Sequence, residues 1–204
     1  MYALVKNNLV TKLFTYPKGF ELNNIQYSSD IFSKWSTAEK NAIGIYEVVT
    51  DSTNKKDEKW YINTNETIAY LGGTVTRSWG TATPKRAEDE NAVDEDGNNI
   101  LDKDGNQVIN YGLKTQLIKT IKEQASGLLA PTDWYVIKAN EVSDYSVPTN
   151  IATYRASVRT KSNEMETLIT NATDTPALET LYTYTEQDDG SVTRPLGELP
   201  RLES

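Results

Sequence analysis

The sequence predicts an α+β protein. It divides into a small β-rich N-terminal module with a short helix (1–80), a polar Asp/Gly-rich loop or hairpin excursion (81–111), a helical hairpin (112–174) and an extended C-terminal tail (175–204). Three observations predict this. Short apolar runs separated by turn residues fill the first module. Two copies of Asp-x-Asp-Gly-Asn follow, at Asp94 to Asn98 and Asp102 to Asn106. Two long stretches then place apolar residues every three or four positions, as an amphipathic helix does.

In chain order, Tyr2 to Lys6 and Leu9 to Phe14 read as strands around Asn7-Asn8, a favoured hairpin turn pair. Pro17-Lys18-Gly19 reads as a turn. Ile31, Phe32 and Trp35 are apolar at helical spacing. Ser36-Thr37-Ala38-Glu39 is a capping box, in which the Ser hydroxyl and Glu carboxylate accept the free amides of a helix start. That helix ends at Gly44, and Ile45 to Thr50 is a strand. Residues 51–58 form a polar loop. Lys59 to Asn63 and Thr67 to Trp79 read as strands, with a bend or bulge at Gly72-Gly73. The first long helix carries Leu113, Leu117, Ile121, Ala125 and Leu128 on one stripe, and Pro131 closes it. Thr132 caps a short helix, or Trp134 to Ile137 extends as a strand. Pro148 opens the second long helix. Its stripe is Ile151, Tyr154, Val158, Met165, Leu168 and Ala172, interrupted at Lys161. The tail from about Gln187, with Gly190, Pro195, Gly197 and Pro200, should be extended and could dock on a neighbour.

Composition narrows the function classes. Hydrophobic residues make up 37% of the chain, so the core leans on 12 Tyr, 4 Trp and 3 Phe. The formal net charge of -8 repels a polyphosphate backbone, so no nucleic-acid partner is expected. No apolar run approaches the roughly 20 residues that cross a bilayer, so no membrane partner is expected either. The first residues lack a basic and then apolar leader, so a cytoplasmic origin is expected. The chain has no Cys and no His. Disulfides, thiol nucleophiles, Cys-based zinc sites and the Ser-His-Asp triad are therefore excluded, and the expectation shifts away from enzymes and cofactors.

Each remaining candidate has a structural alternative. Asp94, Asp96, Asp102 and Asp104 would bind calcium only if they converged. The glycines sit at the fourth position of each loop, not the sixth of an EF-hand, and Asp-Gly is also a hairpin turn. Two carboxylates could serve a glycan or wall hydrolase, though no Glu lies within an apolar run that would raise its pKa. Trp60, Tyr61, Tyr70 and Trp79 form either a sugar-binding platform or a sheet face and core. Arg155 and Arg159 lie four apart on one helix face. They grip either a partner's carboxylates or an acid of their own chain, such as Asp133 or Glu123.

The run Leu128-Leu129-Ala130-Pro131-Thr132-Asp133-Trp134-Tyr135-Val136-Ile137 is followed by Val147-Pro148, Tyr154-Arg155 and Val158-Arg159. It resembles a segment of small tail-associated and tail-fibre assembly proteins of tailed bacteriophages. Met1-Tyr2-Ala3-Leu4-Val5 and Ile43-Gly44-Ile45-Tyr46 resemble the N-terminal module of such proteins. Together these cover roughly 80 of the 204 residues. The resemblance implies a virion protein, made in the host bacterial cytoplasm, that contacts other phage structural proteins such as tail fibre or baseplate subunits in multiple copies. It implies no catalytic residues. An assembly chaperone that leaves before the particle is complete is the second expectation. Trp134, Tyr135, Tyr154, Arg155 and Arg159 are the candidate partner-binding or scaffold residues, with Trp134 expected to fill a pocket between the helices.

Overall fold

The computed structural model describes residues 1–202, in two compact units, Met1–Thr83 and Pro84–Ser204. The architecture is α+β.

The first unit is built on a five-stranded sheet, in the order β2 (Leu9–Phe14), β1 (Tyr2–Lys6), β5 (Ile45–Thr50), β8 (Thr74–Ser78), β7 (Thr67–Leu71). Only β5 and β8 run parallel. Asn7 and Asn8 both take positive φ, 51° and 62°, as the two-residue hairpin turn requires. A bulge beside Leu4 and Val5 shifts the register of that hairpin. The same dipeptide, Asn23-Asn24, turns a second hairpin, β3 (Phe20–Leu22) with β4 (Ile25–Tyr27), which adds to the expected elements. Gly72-Gly73 connects β7 to β8 as a hairpin turn, so the expected single bent strand is two strands. The expected strand at 59–63 contracts to β6 (Tyr61–Ile62).

One sheet face buries Leu4, Phe14 and Ile45 under Phe20 and Leu22 of the second hairpin and Ile31 and Phe32 of α1 (Ile31–Lys34). Phe14 meets Phe20 and Phe32 with ring centroids 4.8 and 5.3 Å apart. The other face gathers Ala3, Val48 and Val75, flanked by Val5, Val10, Tyr46, Ile68 and Tyr70. Edge strands β2 and β7 come within 8 Å of each other, so the sheet curls around this second cluster. The capping box forms: Glu39 N–H donates to the Ser36 hydroxyl at 3.3 Å and Ser36 N–H to the Glu39 carboxylate at 2.8 Å. It starts α2 (Thr37–Ala42).

The chain passes from the first unit to the second within β9 (Thr83–Pro84), and a three-armed junction follows. Ala92, Ile100 and Val108 close a ring of backbone hydrogen bonds. Ala92 N–H donates to Val108 O at 2.8 Å, Ile100 N–H to Ala92 O at 2.9 Å and Val108 N–H to Ile100 O at 2.9 Å. One arm is the stem of β10 (Glu90–Asn91) and β11 (Ile109–Asn110). The other two are the Asp-Gly hairpins, closed by the Val93–Asn99 and Leu101–Gln107 bridges.

The stem delivers the chain to α3 (Leu113–Leu129). Asp89 accepts Gly112 N–H at 2.7 Å and the Thr115 hydroxyl at 2.9 Å. A Cβ at Gly112 would meet Glu88 O at 2.3 Å, so only glycine fits there. Next come α4 (Asp133–Glu141) and α5 (Thr149–Asn171), which runs antiparallel to α3: Lys114 Nζ donates to Thr170 O, Lys122 pairs with Glu166, and Tyr154 reaches Leu128. The buried stripe of α5 is Ile151, Tyr154, Arg155, Val158, Ser162, Met165 and Ile169. Leu168, expected on it, is 38% exposed, because keeping the period puts Ile169 inward.

The C-terminal segment differs from the expected extended tail. Asp174 caps α6 (Thr175–Tyr182), accepting Ala177 N–H at 2.8 Å. A hairpin of β12 (Thr185–Glu186) and β13 (Val192–Thr193) follows. Leu196 is then fully buried, its N–H bonded to Leu181 O, and Leu199 packs with Ala125, Tyr154 and Val158. Apolar anchors every few residues hold this segment against its own helices.

The first unit has one tightly constrained joint. Gly44 sits at φ 83° between α2 and β5, its carbonyl accepts Val5 N–H at 2.8 Å, and a Cβ there would lie 2.7 Å from Val5 O. Gly44→Ala should therefore cost at least about 2 kcal/mol, from the left-handed backbone and the clash together. Urea denaturation of the two proteins checks this, and an unchanged midpoint would contradict it.

Candidate functional site

Pro131 sets up the corner between α3 and α4. It has no N–H to continue the helix, and Asp133 N–H bonds back only three residues, to Ala130 O, in a short 3-10 turn. The last carbonyls of α3 take side-chain donors from α5 and from Thr132 instead. Leu128 O accepts the Tyr154 hydroxyl at 3.2 Å. Leu129 O accepts the Thr132 hydroxyl at 2.7 Å and Arg155 Nη1 at 2.9 Å. The same Arg155 Nη1 donates to Thr132 Oγ1 at 2.6 Å, and Nη2 meets Asp133 Oδ1 at 2.7 Å.

Arg155 is 7% exposed, so its charge is compensated at three acceptors that span the corner. Asp133 is the acid it grips, the intramolecular alternative of the sequence reading. The planar fork suits this arrangement, because a lysine ammonium offers no such spread of donors.

Of the candidate residues, Tyr154 and Arg155 meet in the corner. Trp134 does not join them. It is 50% exposed on α4, a helix with no buried residue, so the expected pocket between the helices is not filled by this indole. The guanidinium and Thr132 are buried at the corner, and Trp134 is half exposed. Its ring meets half-buried Tyr135 at 3.9 Å between centroids, tilted by 32°, and Ile137 on the same helix is 56% exposed. Arg159, one turn beyond Arg155, is exposed and donates to Arg155 O at 3.4 Å.

The other candidates resolve into structure. Trp60, Tyr61 and Trp79 are buried, and Tyr70 bonds hydroxyl to hydroxyl with Tyr46 at 3.3 Å, so these four make no open platform. Asp94 Oδ1 accepts the N–H of Asp96 and Asn98 at 3.0 and 2.8 Å, and Asp102 does the same for Asp104 and Asn106. Among the described residues no three acidic side chains gather in a way that could hold a metal ion. No described helix is long and apolar enough to cross a membrane. Comparison with protein-family models, curated proteins and solved structures returns no match.

Two predictions follow from this geometry. Arg155→Ala removes one donor each from Leu129 O and Thr132 Oγ1 together with the Asp133 ion pair, and should cost about 2–3 kcal/mol. Trp134→Ala should stay within about 0.5 kcal/mol, as an exposed substitution does. Chemical denaturation separates them, and a larger loss at Trp134 would reverse the assignment.

The two Asp-Gly loops should respond to acid. The backbone N–H of Asn98, with its side-chain amide, holds the Asp94 carboxyl below its ordinary value, and Asn106 does the same to Asp102. A pKa lowered by folding supports the fold above the unfolded value and withdraws that support as pH falls. The amides of Asn98 and Asn106 should keep their exchange protection at neutral pH and lose it on acidification below about pH 4. Protection that persists in strong acid would contradict this.

Proposed function

We propose that this chain is a structural subunit of a tailed-phage particle, a tail, baseplate or fibre-attachment adaptor that acts through protein–protein contacts. The observation that carries the reading is the division of labour within the segment that resembles phage tail proteins. Its Tyr154, Arg155, Thr132 and Asp133 lock a corner, while Trp134 and Ile137 stand exposed on α4, the helix that corner holds. A large aromatic beside an aliphatic, presented on a fixed helix, is the composition of a protein contact surface.

The N-terminal resemblance supports the same reading. Its two pieces lie side by side, Ala3 opposite Tyr46 and Leu4 opposite Ile45, and Gly44 joins them. The resemblance therefore falls on residues that build one joint, with no reaction required of them.

Mass spectrometry of purified particles tests the proposal. The chain should be present at a fixed ratio to the major tail proteins. The double variant Trp134→Ala, Ile137→Ser should fold with unchanged stability yet be depleted from particles at least tenfold. Finding the chain only in infected-cell lysate would overturn the reading and point to an assembly chaperone.

A further inference from the structure

Four of the six arginines hold a carboxylate of their own chain: Arg77 with Glu66, Arg86 with Glu90, Arg155 with Asp133 and Arg194 with Glu198. Arg159 has no carboxylate partner among the described residues, and its one hydrogen bond there is to Arg155 O. It lies on the rim of a groove of about 420 Å³ between α3 and α5, lined also by Lys122, Ser126, Leu129 and Asn163.

The other charges of this groove are paired. Arg155 is held by Asp133, and Lys122 meets Glu166 at 3.3 Å. Glu166 is itself fixed, accepting the buried Ser162 hydroxyl at 3.1 Å. Summing Lys122, Arg155 and Arg159 against Asp133 and Glu166 leaves one positive charge, located at Arg159. The chain as a whole carries -8.

We infer that this groove receives an acidic side chain of a partner protein, with the Arg159 guanidinium gripping the carboxylate. The inference rests on the reading that the chain works through protein contacts, and it names the chemistry of one contact. Three features favour a single carboxylate. One planar fork matches its two oxygens. The groove has room for one or two side chains. Asp133 and Glu166 at its edge, with the acidic chain around them, disfavour a polyphosphate. The site is also preorganised, because Arg155 on the preceding turn is locked to the α3–α4 corner and holds the backbone that carries Arg159.

The experiment is a titration of the full chain, ¹⁵N-labelled, with N-acetyl-glutamate amide, a probe with one carboxylate. Chemical shifts of Arg159, Ser126 and Asn163 should saturate together. Arg159→Ala should weaken the affinity at least tenfold, and Lys103→Ala, which removes an equal charge from a hairpin arm, should leave it unchanged. Inorganic phosphate should bind more weakly than the probe. Shifts that do not saturate, equal weakening by both variants or tighter binding of phosphate would each overturn the inference. Because the titration needs no particle, saturable binding by a chain absent from virions would sink the proposed function and leave this site standing.

Discussion

The guanidinium of Arg155 is the constraint on which the second unit depends. Pro131 removes a helical donor where the chain must change direction, and the carbonyls of Leu128 and Leu129 need partners. Burying an arginine there is favourable only because every acceptor is in place: the Leu129 carbonyl, the Thr132 hydroxyl and the Asp133 carboxylate. The half-exposed Asp133 also keeps part of its hydration, which lowers the cost of the ion pair. One side chain therefore ties the end of α3, the start of α4 and the N-terminal part of α5 together.

That arrangement explains why the aromatic of the same segment points outward. Arg155 and Thr132 take the buried positions at the corner. Trp134 instead stands half exposed on α4 with Tyr135 and Ile137. The corner and the proposed contact surface thus share one short helix. The groove at Arg159 lies one turn further along α5 and shares its backbone support.

Much of the fold was legible in sequence, for local reasons. Asn7-Asn8, the Ser36–Glu39 capping box and the two Asp-Gly loops each specify their geometry within a few residues, and the structure adopts all of them. The Asn23-Asn24 hairpin carries the same local signal as Asn7-Asn8. Asp174 ahead of Thr175-Pro176 was likewise a readable helix start. The α5 stripe was misplaced at Leu168 because Lys161 hid the period, which runs through Ser162 to Ile169. The closed ring of Ala92, Ile100 and Val108 was not legible, since it depends on three strands meeting rather than on any local preference. The outward Trp134 was not legible either. An apolar aromatic reads as core until one knows that a charged residue has taken the interior position, and that follows only from tertiary hydrogen bonding.

Hydrogen exchange across residues 133–138, compared between the wild type and Arg155→Ala, tests the central claim most directly. If Arg155 holds the corner, the α4 amides will be protected in the wild type and will lose that protection selectively in the variant, while the middles of α3 and α5 keep theirs. Unchanged α4 protection in the variant would contradict the account, because α4 would then owe its position to something other than this guanidinium.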